Sequence, residues 1–399
     1  MALEEKMNST DKIILEIVKE AITKEPTLVE DDYNLDEIYN SLKFQAVSSL
    51  AYNWLQQSEE IKQERVKEWA EEIFHQISYW YKMLDAQDKL VKMLTSHGYK
   101  CVIMKGFANA ILYPKPELRI SGDIDFLVKE EQYEEIYNLL VLNGYKLMGE
   151  KYESKHHIGL KKDKIIFELH RQPGGTRRKH RWQVEFFQQG LKNAEMVTLK
   201  DYSFPVLPKL HNGIMLLVHI RAHFKGGIGL RHLLDWIIYA EKYVTDEFWE
   251  LEMKSVAKEY NVEKLAAVMS RCGQIYFGLL RGRKWCSYIE NDICGEVINY
   301  LFEQGDFGRK ADIRDAQLNV IAESSKIKGF LRRVNLSSQY SMPIIKRYPI
   351  LRPVGWVYQI GKYVSIIMHK EDSLQSLGKD ILEGKKRRDF FIKLGVQDW

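Results

Sequence analysis

The chain has 399 residues, 45% of them hydrophobic and 29% charged, a balance that excludes a disordered or low-complexity protein. Fifty-nine Lys and Arg against 55 Asp and Glu leave a net charge of +4, too small for a protein coated in positive charge. Four cysteines (Cys101, Cys272, Cys286, Cys294) show no CxxC pair and no metal spacing, Met1–Lys6 has no apolar leader, and no uncharged run is long enough for a membrane span, so the sequence reads as a reduced, cytoplasmic chain.

The first ninety-odd residues pattern as helices. Ser9 or Thr10 caps a helix whose apolar Ile13, Ile14, Ile17 and Val18 follow the 3.6-residue period. A second helix is expected over Leu42–Leu55 and a long third from about Ile61 to Leu94, with Trp69, Ile73, Ile77, Trp80, Leu84 and Met93 along a packing face. The pattern changes at His97-Gly98. Lys100–Met104 is a short apolar run with the signature of a buried strand, and Lys105-Gly106 opens a short helix, Phe107–Leu112, stopped by Pro114. Ile124–Val128 is a second strand, and Glu130–Leu142 a helix ended by Asn143-Gly144. Tyr145–Gly149, His156–Lys161 and Lys164–His170 read as three more strands, the last two joined by a tight turn at Lys162-Asp163. From Pro208 helices return: Leu210–Phe224, Leu230–Tyr243, Phe248–Tyr260 and Lys264–Leu280. Beyond Gly305 the sequence is looser, with one apolar helix, Trp356–Ile367, expected as core ahead of a membrane-lying helix, and a basic run, Lys385–Arg388, expected as a solvated tail, with nucleic-acid or anionic-membrane binding as the minor alternative. The fold class is α+β, a small mixed sheet flanked by helical regions, with expected divisions 1–96, 97–207, 208–304 and 305–399.

The chemistry concentrates on the sheet. Asp123 and Asp125, in Ser121-Gly122-Asp123-Ile124-Asp125-Phe126, stand two apart at the start of a strand, where alternation puts them on one face. Ile124 and Leu127 are expected to face the other way, into the core. Two carboxylates so close repel unless a cation lies between them, and oxygen ligands suit a hard divalent ion such as Mg²⁺. Glu168 is a third acid in the apolar run Ile165–Leu169, costly there unless paired or metal-bound. Asp-x-Asp is common in solvated loops; the Ser-Gly before it, the apolar strand after it and the downstream acid set this one apart. Upstream, Gly106 at a strand–helix junction lets a backbone approach a phosphate, and the helix start offers free N–H groups. Lys105 and Arg119 add full charges at an edge expected to be polar rather than core, so that Ala at either leaves the fold intact. Other features are discounted. His219 and His223 at i, i+4 lack a third ligand for zinc. Arg171–Arg181 is either a basic loop that steers anions or a solvated one. Gly226-Gly227-Ile228-Gly229 lacks the context of a dinucleotide site, and neither GxxxxGK[ST] nor GxSxG occurs.

Strand, Gly-helix, Asp-x-Asp strand and a later acid on a strand follow the order of the nucleotidyltransferase fold of the DNA polymerase beta type. The stretch Lys105-Gly106-Phe107-Ala108, Leu112-Tyr113-Pro114 and Arg119 through Val128 resembles the bacterial uncharacterised nucleotidyltransferase family. Glu168-Leu169-His170, the helix with His219 and His223, Leu230-Arg231-His232-Leu233-Leu234-Asp235 and Gly305-Asp306-Phe307-Gly308 extend the resemblance over roughly 100–308. It departs at Phe107, where the wider superfamily carries a second Gly or a Ser that helps hold the triphosphate, and in a rather long gap from Gly106 to Asp123. Ser121 or Lys105 then takes over that contact. The resemblance implies a nucleotidyltransferase-type sheet and metal-assisted nucleotidyl transfer. Asp123, Asp125 and Glu168 would be catalytic and hold one or two Mg²⁺ ions, Glu168 binding the second or taking the acceptor's proton. Lys105, Gly106, Arg119, Ser121 and Gly122 would bind the NTP donor, and the acceptor would be a small molecule or a protein. A catalytically inactive scaffold of the same fold is the alternative, with a metal-dependent glycosyltransferase behind it. Nucleic acid is not expected as a partner, for want of a long basic groove.

Overall fold

In the computed structural model the described residues are 7–25, 33–57, 64–149, 156–174, 180–224 and 226–306, and, in the tail, 334–335, 338–339, 341–342, 344–368 and 373–396. The chain divides into two units, Met1–Lys310 and Ala311–Trp399.

The first unit begins with α1 (Ser9–Thr23). Its cap is Asn8, one residue earlier than expected, whose side chain accepts from Asp11 N. The helix expected over Leu42–Leu55 is broken: α2 (Leu35–Phe44) ends before Ala46, which sits at φ 54°, and the chain resumes as a 3₁₀ turn, Ser48–Ala51, and α3 (Tyr52–Gln57). The expected start of the third helix, Ile61, lies outside the described residues; α4 (Glu64–Ser96) follows and buries Trp69, Ile73, Trp80 and Leu84.

The sheet comes next. β1 (Cys101–Met104) leads through Lys105 into α5 (Gly106–Ala110), then β2 (Ile124–Val128), α6 (Tyr133–Leu142), β3 (Lys146–Leu147), β4 (His157–Lys162) and β5 (Ile165–His170). The β4–β5 turn is Asp163-Lys164, one residue later than expected, both at positive φ as a tight hairpin demands. α7 (Arg181–Lys192), β6 (Glu195–Leu199) and β7 (Tyr202–Val206) had no counterpart in the sequence reading. The hairpin strands are short, exposed residues interrupt their alternation, and Pro205 argues against a strand. The seven strands order as β3-β4-β5-β2-β1-β7-β6, with β2–β5 and β1–β7 parallel and the other pairs antiparallel. One face carries Ile103, Ile124, Phe126, Val128, Phe167 and Leu169 onto α4 and α6, closing a core with Trp80, Leu84, Phe107, Ile136 and Leu140. Leu127 does not belong to that face: it pairs with Val102 and His170 and shares the side of Asp125. Strict alternation requires this of any residue two beyond Asp125.

Helices α8 (Lys209–Phe224) and α9 (Leu230–Tyr243) follow. The run expected as one helix from Phe248 is α10 (Asp246–Phe248), a π-turn over Trp249–Met253 and α11 (Lys254–Glu259). α12 (Glu263–Tyr276) stops short of Leu280, and α13 (Asn291–Gln304) was not anticipated. In the second unit the described helices are Ile344–Arg347, Arg352–Met368 and Ser373–Leu394, with a 3₁₀ turn at Pro349–Leu351. The fold is α+β, a mixed sheet between helical regions. Among the described residues no helix is long and apolar enough to cross a membrane.

Candidate active site

The acids arrive from two neighbouring strands. β2 and β5 run parallel with Asp125 opposite Glu168, which puts both on the sheet face away from the α4 core. One oxygen from each of Asp123, Asp125 and Glu168 lies within 4.8 Å of the others, a spacing that a metal ion can bridge. Glu168 belongs to a second such group with His157 and His170.

A set of cations and histidines holds these acids. Lys105 Nζ donates to Asp125 Oδ1 at 2.7 Å, and His170 Nε2 lies 2.8 Å from the same oxygen and 3.2 Å from Glu168 Oε2. Burial would raise the pKa of Asp125, but Lys105 and His170 outweigh it and hold this carboxyl below the usual range. Asp123 goes the other way: burial, then the charge of Asp125, push it up to about 7. For Lys105, burial opposes the charge and Asp125, Glu168 and Asp123 outweigh it, so its pKa is raised. Burial likewise opposes the charge on His170, and its bonds to Asp125 and Glu168 raise it in spite of that.

Asp123 and Asp125 open onto a cleft of about 440 Å³, and Lys105, Gly106, Arg119, Ser121 and Gly122 line it with them; Glu168 stands beside Asp125 outside that lining. Two of these residues sit differently from the sequence reading. Arg119 is buried, not at an open edge: its Nε and Nη2 reach Asp235 Oδ1 and Oδ2 at 2.9 and 2.6 Å, and Tyr113 OH donates to the same carboxylate at 2.8 Å. Burial opposes the guanidinium charge, but Asp235 outweighs it and raises the pKa. Gly106 is small because the loop crosses close above it: a Cβ there would meet Ser121 Oγ at 2.9 Å. Phe107 points elsewhere; it is buried edge-to-face against Trp80, with ring centroids 5.1 Å apart.

Two helical regions supply the other walls. Leu216 and His219 of α8, Arg231, His232 and Asp235 of α9, and Asp306 line one side; Lys43, Glu72 and Gln76 of α2 and α4 line another.

The profile of the family described as uncharacterised nucleotidyltransferase matches residues 31–278. The chain belongs to this family. No curated protein matches the sequence. Among solved structures, an antigenic nucleotidyltransferase-like protein from Paracoccidioides brasiliensis is similar at 12% identity and a TM-score of 0.32, over 49% of this chain and 92% of its own.

The matched stretch contains residues in the cleft and around the acids that the sequence reading left without a role. His157 entered only as part of a strand, and His170 and His232 only as parts of motifs. His232 stacks 5.6 Å from His219, which lies 4.5 Å from His223, so a third histidine joins the pair from another helix. Burial, then Lys105, depress His219 well below the usual imidazole value; burial, then His232, push His223 down to about 4. Asn109 is buried at the cleft, and neither atom of its amide has a hydrogen-bond partner among the described residues. No local pattern marks an Asn inside a short helix as a site residue. The basic loop divides: Arg171 lies over the Tyr133 ring and Arg181 bonds Glu185, while Arg177, Arg178 and Lys179 lie outside the described residues, as do Phe307 and Gly308.

Proposed function

We propose that the chain is a Mg²⁺-dependent nucleotidyltransferase that moves a nucleoside monophosphate from an NTP to a small-molecule or protein acceptor. The observation that carries this reading is the convergence of Asp123, Asp125 and Glu168 within 4.8 Å, with the two aspartates lining the cleft. Three carboxylates are the donor set a hard divalent cation takes. Bound there, Mg²⁺ would neutralise triphosphate charge and stabilise the oxygens of an in-line displacement at the α-phosphorus.

The protein's own groups do the rest. Lys105 and His170 hold Asp125 by one oxygen, which fixes the carboxylate before substrate arrives. Glu168, held by His170 and 3.5 Å from His157 Nε2, is placed to bind metal or to accept the acceptor's proton. Arg231 and Lys43 bring further positive charge to the cleft, and the open amide of Asn109 supports a polar occupant. Arg119 serves the NTP only indirectly, through the walls it joins by way of Asp235.

Calorimetric titration with each of the four NTPs, in Mg²⁺ and in chelator, tests the reading. At least one NTP should bind in a metal-dependent way and release pyrophosphate once an acceptor is supplied. Asp123→Asn should abolish the metal-dependent part, and Lys105→Ala should weaken binding on the order of ten- to a hundredfold, the loss of one charge-assisted contact. No nucleotide binding in Mg²⁺ would replace the enzyme by a binding module of the same fold.

A further inference from the structure

Helix Arg352–Met368 reverses the ordinary arrangement of a surface helix. Its packed side carries Gly355, Trp356 and Gln359. A Cβ on Gly355 would collide with Ile345 and lie 2.8 Å from Ser338, Trp356 donates Nε1 to Asn335 Oδ1 at 3.1 Å, and Gln359 donates to Ser341. The opposite side is apolar. Val354, Val357, Tyr358 and Gly361 stand at i, i+3, i+4 and i+7, and Ile350 of the preceding 3₁₀ turn extends the stripe. Val354 is 60% exposed, Val357 72% and Ile350 88%, with Tyr358 and Ile360 also exposed. The sequence reading expected this helix as core ahead of a membrane-lying one; among its described residues the structure buries Gly355 and Gln359 and leaves Val354, Val357 and Tyr358 exposed. An apolar stripe of this length facing water marks an interaction surface.

Charge selects the partner. Between Ser324 and Lys370 the sequence holds nine Lys or Arg and no Asp or Glu, although the whole chain is only +4. Arg352 and Lys362 are exposed on the helix itself. A second copy would bring like charge against like, which disfavours self-association. Nucleic acid would use the cations but has no use for a stripe of valine and isoleucine. The surface of an anionic bilayer takes both, the stripe into the acyl boundary and the cations among the headgroups. We propose that Pro349–Met368 docks on an anionic phospholipid bilayer, lying in the interface plane with Ile350, Val354, Val357 and Tyr358 inserted. The segment is an interfacial element and does not span.

The test is sedimentation of the full chain with vesicles of phosphatidylcholine alone and of phosphatidylcholine mixed with phosphatidylglycerol. The protein should bind the anionic vesicles and leave the neutral ones largely free, and added salt should weaken binding. The pair Arg352→Glu and Lys362→Glu should lower affinity on the order of tenfold or more. The pair Val354→Asp and Val357→Asp should abolish binding even at low salt, and Ile350→Asp alone should weaken it. These side chains are exposed, so circular dichroism and melting temperature should stay unchanged. Three results would overturn the proposal. One is no partition into anionic vesicles, or equal binding to both compositions. Another is RNA binding that falls with the charge reversals and ignores the Val→Asp pair. The third is a dimer by light scattering that the Val→Asp pair converts to monomer.

Discussion

Asp123 and Asp125 stand two residues apart and are driven in opposite directions, because Lys105 and His170 serve only one of them. An acid whose folded pKa is raised to about 7 from the ordinary 3.8 favours the folded state while protonated, and that contribution is lost as pH rises from about 4 through 7. In metal-free buffer at pH 8, Asp123→Asn should therefore raise the melting temperature by a few degrees, and near pH 4 it should change little. Mg²⁺ should then stabilise the wild type and not the variant. Differential scanning calorimetry at the two pH values settles the sign; a variant that melts lower at pH 8 would mean that Asp123 is already compensated. Arg119 is the opposite case. Its guanidinium and the Asp235 carboxylate are both buried and satisfied in a two-pronged pair. Arg119→Ala removes the cation beside the buried Asp235 and leaves it the Tyr113 hydroxyl, which should cost about 3–5 kcal/mol in guanidinium unfolding, whereas replacing both charged partners by apolar residues should recover much of that loss. The ordinary surface cost of well under 1 kcal/mol would put Arg119 back at an open edge.

At the level of elements, the short helix after β1 raises the question of Phe107, which stands where the superfamily carries Gly or Ser. Lys105, Gly106 and Asn109 reach the cleft, while Phe107 turns onto Trp80 and the α4 core. Phe107→Ser should then restore no phosphate contact. It should open a cavity worth about 3–5 kcal/mol and leave metal-dependent NTP affinity unchanged wherever the protein remains folded, as paired chemical denaturation and calorimetry would read out. What the sequence made legible follows the same division. β1, α5, β2 and β5 each carry a complete local signature, an apolar run bounded by Gly, Pro or paired acids, and the acids on β2 and β5 needed only alternation to share a face. What it hid depends on distant partners. Arg119 meets Asp235 across 116 positions, His232 joins His219 from another helix, and Lys43 and Glu72 reach the cleft from helices whose stripes read only as packing. The β6–β7 hairpin was hidden for a different reason: its strands hold to the sheet through β1, with little apolar alternation of their own.

Across the whole molecule, the cleft is assembled from pieces that no single segment contains. Its lining runs from Lys43 to Asp306, and every lining residue falls within Met1–Lys310. The sheet is equally dependent on its surroundings, since Trp80, Met83, Leu84, Leu90, Val91 and Leu94 of α4 complete the core beneath β1 and β2. At about 1.5–3 kcal/mol for each large buried side chain, these six contribute on the order of 10 kcal/mol, as much as the entire net stability of a typical domain. A fragment limited to 97–207 should therefore fail to fold, giving no cooperative melt and binding a hydrophobic dye. A fragment ending at Lys310 keeps α4, the sheet, the α8–α9 wall and Asp306 together. It should unfold cooperatively and bind Mg²⁺-NTP within a few-fold of the full chain, while losing the vesicle binding assigned to Pro349–Met368. Melting curves and calorimetry on the two fragments decide the matter. A stable 97–207 would make the sheet autonomous, and a folded 1–310 without nucleotide binding would mean that residues beyond Lys310 complete the cleft.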